Sequence, residues 1–164
     1  MTIFEKLRAG VATASAEETR SLAAELAIAL PPDSTLALHG DLGAGKTTFV
    51  QGLAHGFGIV EPVTSPTFTI FTLHRAPMPA RHFVRRSLSE GGSAAAAGCT
   101  LVHLDAYRLG DPRQIETLML DDFLVSPWCL AVEWPEKIAA WLPDNALHFE
   151  LGIADDGRHT IRLR

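Results

Sequence analysis

The residues in this chain best placed to do chemistry are Gly40-Asp41-Leu42-Gly43-Ala44-Gly45-Lys46-Thr47-Thr48. A glycine, four residues and then Gly-Lys-Thr is the spacing of a phosphate-binding loop. The chemistry is direct: a triphosphate carries several negative charges, and a helix N-terminus answers them with backbone N–H groups. Gly43 and Gly45 let the backbone approach the phosphates with no Cβ in the way. Lys46 supplies a mobile point charge for the β- and γ-phosphates, and Thr47 offers a hydroxyl to Mg²⁺, which prefers oxygen ligands.

Such a site also needs a carboxylate at the end of a neighbouring strand. Two candidates are present. Asp105 ends the apolar run Leu101-Val102-His103-Leu104, and Glu133 ends Cys129-Leu130-Ala131-Val132. Periodicity does not decide which of them meets the metal and which orients water. His103 and Asp105 have the spacing of a metal pair, but one histidine is thin support for zinc. Thr67, in Thr64-Ser65-Pro66-Thr67-Phe68, lies where a phosphate-loop protein places the segment that senses the γ-phosphate; a polar turn fits its spacing equally well. His39, directly before Gly40, reads as structural.

These side chains need elements to hold them. Thr35 to His39 predicts the strand that feeds the loop, and Phe49, Val50, Leu53 and Phe57 mark the buried face of the helix leaving it. Ser15-Ala16-Glu17-Glu18 reads as a capping box that starts a helix ending at Pro31-Pro32, with Thr19 a solvated residue of its first turn. A strand is expected over Phe68–Leu73. A helix opens at Asp111-Pro112-Arg113-Gln114 and runs to about Met119, and another runs from Trp134-Pro135-Glu136 to Pro143. The tail predicts a hairpin, Leu147 to Ile153 and His159 to Leu163, turned at Asp155-Asp156-Gly157. Strands alternating with helices before that hairpin imply an α/β fold of the P-loop NTPase kind. Its sheet is mainly parallel and flanked by helices, and it ends in an antiparallel hairpin.

The chain has 164 residues, 47% of them apolar and 20% charged. That is enough for one well-packed domain spanning 1–164 and too little for two. Residues 75–98 stand apart, with two prolines, Gly91-Gly92-Ser93, a run of alanines and four arginines against Glu90. They read as a mobile surface insertion, or alternatively as a basic arm. A net charge of −5 and only three lysines argue against general affinity for nucleic acid or anionic lipid. Cys99 and Cys129 lack a Cys-x-x-Cys pairing and read as core residues of a reduced, cytoplasmic protein. The N-terminus has no apolar signal segment and no run is long enough to span a membrane. The guanine-reading Asn-Lys-x-Asp motif is absent, so GTP specificity is unsupported.

Four ordered motifs, Gly40–Thr48, Ser65-Pro66-Thr67-Phe68, His103-Leu104-Asp105-Ala106-Tyr107-Arg108-Leu109 and Val132-Glu133-Trp134-Pro135-Glu136, resemble the TsaE (YjeE) family. That family is the bacterial ATPase required for threonylcarbamoyladenosine (t6A) in tRNA. The resemblance implies slow, Mg²⁺-dependent ATP hydrolysis in concert with TsaB and TsaD. It implies that tRNA is met indirectly through their complex and that the carbamoyl group is transferred elsewhere. By match, Gly43, Ala44, Gly45, Lys46, Thr47 and Thr48 hold phosphates, and Thr47 and Glu133 bind Mg²⁺. Asp105 is the second acid and Thr67 falls in a switch-like loop. Thr19 and Arg158 lie by the nucleotide, with Trp134 near the site. The chain departs from the family in its insertion and at Met119, where glycine is usual. A rival reading is a small-molecule P-loop kinase with the arginine-rich insertion as its lid; another is a nucleotide-gated adaptor with negligible turnover.

Overall fold

A computed structural model describes residues 1–66, 68–76 and 98–164. Thr67 and most of the 75–98 insertion lie outside the described residues. The expectations of a switch-like loop at Thr67, and of a mobile segment, basic arm or kinase lid in the insertion, therefore fall there too.

The described chain forms a seven-stranded sheet. In chain order the strands are β1 (Val11–Thr13), β2 (Ser34–His39), β3 (Phe71–Arg75), β4 (Thr100–Asp105), β5 (Trp128–Glu133), β6 (Leu147–Ile153) and β7 (His159–Leu163). Their spatial order is β1-β7-β6-β2-β5-β4-β3. The four central strands, β6, β2, β5 and β4, run parallel. Antiparallel strands close both sides, β7 and β1 at one and β3 at the other. The expected P-loop architecture and its C-terminal hairpin are both present.

Two helices cover one face around the strand that feeds the loop: α2 (Ala16–Ala29) and α3 (Lys46–Gly56). They pack closely because Gly52 and Gly56 of α3 face the backbone of α2. A Cβ at Gly52 would collide with the carbonyl of Arg20, and one at Gly56 with that of Ala24. Leu22, Leu26, Phe49, Leu53 and Phe149 fill the space beneath, each contributing about 1.5–3 kcal/mol by burial. The opposite face is covered near β4 and β5 by α4 (Gln114–Thr117) and two short 3₁₀ turns, Leu120–Asp122 and Pro135–Ile138. Their Ile115, Leu120 and Ile138 pack on Val102, Leu104, Leu130 and Val132. No helix among the described residues is long and apolar enough to cross a membrane.

Several expectations need correcting. A first helix, α1 (Ile3–Ala9), and β1 precede the elements anticipated from the sequence. Thr2 and Glu5 form a reciprocal capping box there, a Thr-x-x-Glu signal legible in the sequence. At α2, Ser15 does accept from Glu18 N–H, but the Glu18 carboxylate reaches Ala14 N–H instead of closing the box on Ser15. Thr19 is buried rather than solvated, its hydroxyl 2.7 Å from that of Thr13.

The strand expected from Phe68 begins only at Phe71. Pro66 O accepts from both Thr69 N–H and Ile70 N–H, folding Phe68–Ile70 into a turn. Both later helices are shorter than expected. After Gln114–Thr117 the chain turns through Met119 in a left-handed conformation (φ 49°, ψ 45°), so the position where glycine is usual keeps a glycine-like backbone. The run after Pro135 is a single 3₁₀ turn, Pro135–Ile138, entered from a left-handed Trp134. Cys99 and Cys129 are free and buried, with burial pushing the Cys99 thiol up to about 12.

Candidate functional site

β2 ends at His39 and hands the chain to the Gly-rich loop at the carboxyl edge of the parallel strands. Gly40 lies directly against Leu151 O of β6, where a Cβ would not fit. Gly43 and Gly45 both take left-handed φ, 83° and 98°. Gly45 is the N-cap of α3, and no side chain caps that helix. Its first N–H groups therefore face a cleft of about 420 Å³, lined on this side by Leu42, Gly43, Gly45, Lys46, Thr47 and Thr48.

Asp105 and Glu133 end β4 and β5 in register with one another, and both line the cleft. Strand pairing thus brings together the two acids that the sequence left as alternatives. Glu133 Oε1 accepts from the Thr47 hydroxyl at 2.9 Å. Asp105 Oδ1 accepts from Tyr107 N–H at 2.9 Å, and Asp105 N–H donates to Ile70 O at 2.7 Å, tying the acid to the turn after Ser65-Pro66. Lys46 folds back so that Nζ donates to Gly40 O at 2.6 Å and Asp41 O at 2.8 Å.

The left-handed Trp134 (φ 57°) turns its indole over Lys46, with Nζ 4.4 Å from the ring centroid. Tyr107 packs against that indole at 5.1 Å, and the two rings form the cleft's aromatic wall. Beyond them, the Arg108 guanidinium lies over Phe68 at 4.8 Å.

Burial dominates the electrostatics. It pushes the Asp105 carboxyl up, helped by the charge of Glu133 and opposed by Tyr107 N–H, His103 and Lys46. Burial also pulls the Lys46 ammonium down, against the attraction of Glu133, Asp105, Glu136 and Asp41. An acid shifted up beside a lysine shifted down describes a desolvated charge cluster that external ions would settle.

His103, directly behind on β4, is fully buried and neither ring nitrogen has a hydrogen-bond partner among the described residues. Nε2 stands 3.7 Å from Glu133 Oε2. No group of three or more His, Cys, Asp and Glu side chains able to hold a metal occurs among the described residues, so the His103–Asp105 zinc pair lacks further ligands of that kind. The donors beside the loop, Thr47 Oγ1 and the Glu133 carboxylate, are all oxygen. That set suits a hard ion that keeps most of its waters.

Two expected nucleotide residues lie outside the cleft wall. Thr19 is buried on Thr13, while Arg158 is exposed, with Nε 2.7 Å from Asp156 Oδ2. Arg158 precedes one lining residue, His159, in the chain, and Thr13, the partner of Thr19, pairs with His159 across β1 and β7. Sequence reasoning missed His159, and no local signal marks it. Only the parallel pairing of β6 with β2 carries the hairpin beside the loop, where His159 Nδ1 meets Ala44 O at 3.0 Å. His39 is outside the wall as well, its Nε2 2.9 Å from His148 Nδ1, in keeping with the structural reading.

Comparison with known proteins decides the family. The model of threonylcarbamoyl adenosine biosynthesis protein TsaE matches residues 13–161. The chain belongs to the TsaE family. It is 35% identical over 149 residues to tRNA threonylcarbamoyladenosine biosynthesis protein TsaE of Bacillus subtilis, covering 91% of this chain and 80% of that protein. It is 37% identical over 147 residues to the Streptomyces coelicolor TsaE, covering 86% of each. Among solved structures it is similar to the crystal structure of Bacillus subtilis YdiB, with a TM-score of 0.67 and 30% identity over 94% of this chain and 82% of that one. A TsaE-family protein takes part in t6A biosynthesis on tRNA, and the cleft described above is this member's candidate site for that role.

Proposed function

We propose that this TsaE-family protein binds ATP with Mg²⁺ and hydrolyses it slowly in the service of t6A formation. In this reading it acts in the cytoplasm with TsaB and TsaD and meets tRNA only through their complex. The supporting observation is the 2.9 Å bond between Thr47 and Glu133 beside Asp105, under the uncapped start of α3. The loop amides from Gly43 to Thr48 receive the phosphates, and Lys46 leaves the carbonyls of Gly40 and Asp41 to meet the β- and γ-oxygens. Thr47 and Glu133 hold Mg²⁺, which when bound offsets phosphate charge and the repulsion between the two acids. Asp105 accepts a hydrogen bond from the water that attacks the γ-phosphorus, giving ADP and phosphate. By its resemblance to the family, Thr67 takes part in sensing the γ-phosphate. By the same resemblance Thr19 and Arg158 lie by the nucleotide, and His159, which follows Arg158 in the chain, lines the cleft.

The test is equilibrium binding of a fluorescent ATP analogue to the wild-type chain and to Lys46→Ala, followed by capture of TsaB and TsaD with and without ATP. Lys46→Ala is expected to lose at least 100-fold in affinity, on the order of a charge-assisted pair in a desolvated site. Wild-type affinity in that variant would remove the phosphate-loop assignment. Capture of neither partner under any nucleotide condition would remove the assembly.

A further inference from the structure

Among the described residues, the only buried side-chain nitrogens or oxygens without a hydrogen-bond partner are Nδ1 and Nε2 of His103. A neutral imidazole carries one N–H, and leaving it unpaired in the interior is costly. An apolar side chain of similar size carries no such penalty, so the histidine at this place asks for a reason.

Strand alternation and register name its neighbours. Along β4, His103 shares a face with Leu101 and Asp105; across the paired strands it sits opposite Thr72 of β3 and Ala131 of β5. Leu101 and Ala131 belong to the apolar core beneath α2 and α3, and the Thr72 hydroxyl is already engaged with His74 at 3.1 Å. An acid remains. Nε2 lies 3.7 Å from Glu133 Oε2, roughly 1 Å beyond a charge-assisted hydrogen bond of about 2.7–2.9 Å. The other oxygen of that carboxylate, Oε1, accepts from the Thr47 hydroxyl at 2.9 Å. Glu133 therefore stands between a donor on the loop and a histidine in the sheet.

We propose that His103 is a positioning residue for Glu133: its neutral ring carries the proton on Nε2 and donates it to Oε2, keeping Oε1 turned to Thr47 and the ion. A carboxylate held through one oxygen can still swing about that bond, and a second donor on the other oxygen fixes its plane. Partners of this kind, one step behind a metal ligand, set its orientation in metal sites generally. The inference rests on the Mg²⁺–ATP reading above and adds to it the group that orients the metal-binding acid.

The experiment measures the affinity of a fluorescent ATP analogue in saturating Mg²⁺ and in EDTA, for the wild-type chain, His103→Leu and His103→Gln. The ratio of the two affinities isolates what the metal contributes. Leucine fills the space without a donor, whereas the glutamine amide carries N–H groups close to where the imidazole holds Nε2. His103→Leu is expected to lower the ratio about 10- to 100-fold with its EDTA affinity unchanged, and His103→Gln to restore most of it. An unchanged ratio in His103→Leu would overturn the proposal. So would an EDTA affinity that falls along with the Mg²⁺ affinity, since the ring would then only fill space, or a ratio as low in His103→Gln as in His103→Leu. The wild-type chain supplies a second test that needs no variant to bind. With ¹⁵N-labelled histidine, NMR of the chain loaded with Mg²⁺ and the analogue is expected to find His103 protonated on Nε2, and protonation on Nδ1 alone would overturn the proposal. A wild-type ratio of one would refute the underlying Mg²⁺ site and this inference with it.

Discussion

Replacing Glu133 by glutamine separates the two roles its carboxylate could have, because the structure sets opposite expectations for them. Glu133 is 3% exposed and faces Asp105 across paired strands. Strands about 4.8 Å apart imply repulsion on the order of 3 kcal/mol between two charged acids at an effective dielectric constant near 20. Glutamine relieves that repulsion. It also weakens the bond from the Thr47 hydroxyl from a charge-assisted one to a neutral one, a loss of about 1–2 kcal/mol, and it removes an attraction for Lys46. These effects nearly cancel, so the ligand-free variant should melt within about 4 °C of the wild type. With Mg²⁺ and ATP at about one hundred times the dissociation constant, binding should stabilise the wild-type chain by about 2.7 kcal/mol, or about 5–11 °C. A hundredfold loss of affinity in Glu133→Gln reduces that to about 1–2 °C. The assay is thermal unfolding of both proteins alone, with ATP and EDTA, and with ATP and Mg²⁺. A full Mg²⁺-dependent shift in the variant would refute the reasoning. Collapse of the ligand-free variant would show that Glu133 holds the strands rather than the metal.

Two further outcomes follow from the backbone and from burial. Met119 is exposed and left-handed, so Met119→Gly exchanges a steric cost of about 1–2 kcal/mol for a smaller entropic one. It should raise the melting temperature by about 2–4 °C, and a decrease would show that the side chain anchors the turn. Burial, Arg164 and His148 together pull the His39 imidazole below its ordinary range, against Glu136 and Glu150. The unfolded chain therefore binds a proton more readily than the folded one. The stability His39 contributes is whole above about pH 6.5 and is lost as pH falls through its lowered folded value. Melting temperatures between pH 8 and pH 5 should fall less steeply in His39→Asn, and parallel curves would sink the assignment.

What the sequence made legible follows the range of each interaction. The Gly-rich loop, β4, β5 and the final hairpin are specified by neighbours a few residues apart: glycines at fixed spacing, unbroken apolar runs ending on acids, and Asp-Gly between alternating segments. The end of α4 and the entry into the turn at Pro135 each go through a single left-handed residue, Met119 and Trp134, and propensity gives no warning of these in a non-glycine residue. Thr19 looks solvated on a helical pattern, yet β1 covers it, and β1 is three residues long and exists only by pairing with β7. His159 is the extreme case. Its place beside Ala44 depends on a strand order that interposes β6 between β2 and β7, and no local pattern encodes that order.

The same geometry bears on how the cleft takes a ligand. Each side chain that a magnesium triphosphate would need is already engaged by the protein: Lys46 with two loop carbonyls and the Trp134 indole, Thr47 with Glu133, and Asp105 with Tyr107 N–H. Binding is then an exchange of hydrogen bonds rather than a gain of new ones, and only the helix amides and the desolvated charges contribute a surplus. Moving Lys46 uncovers the face of Trp134, which rests on Tyr107, two residues from Asp105 and next to Arg108 on Phe68. That run of contacts leads from the phosphate loop to the exposed rings of Tyr107 and Phe68.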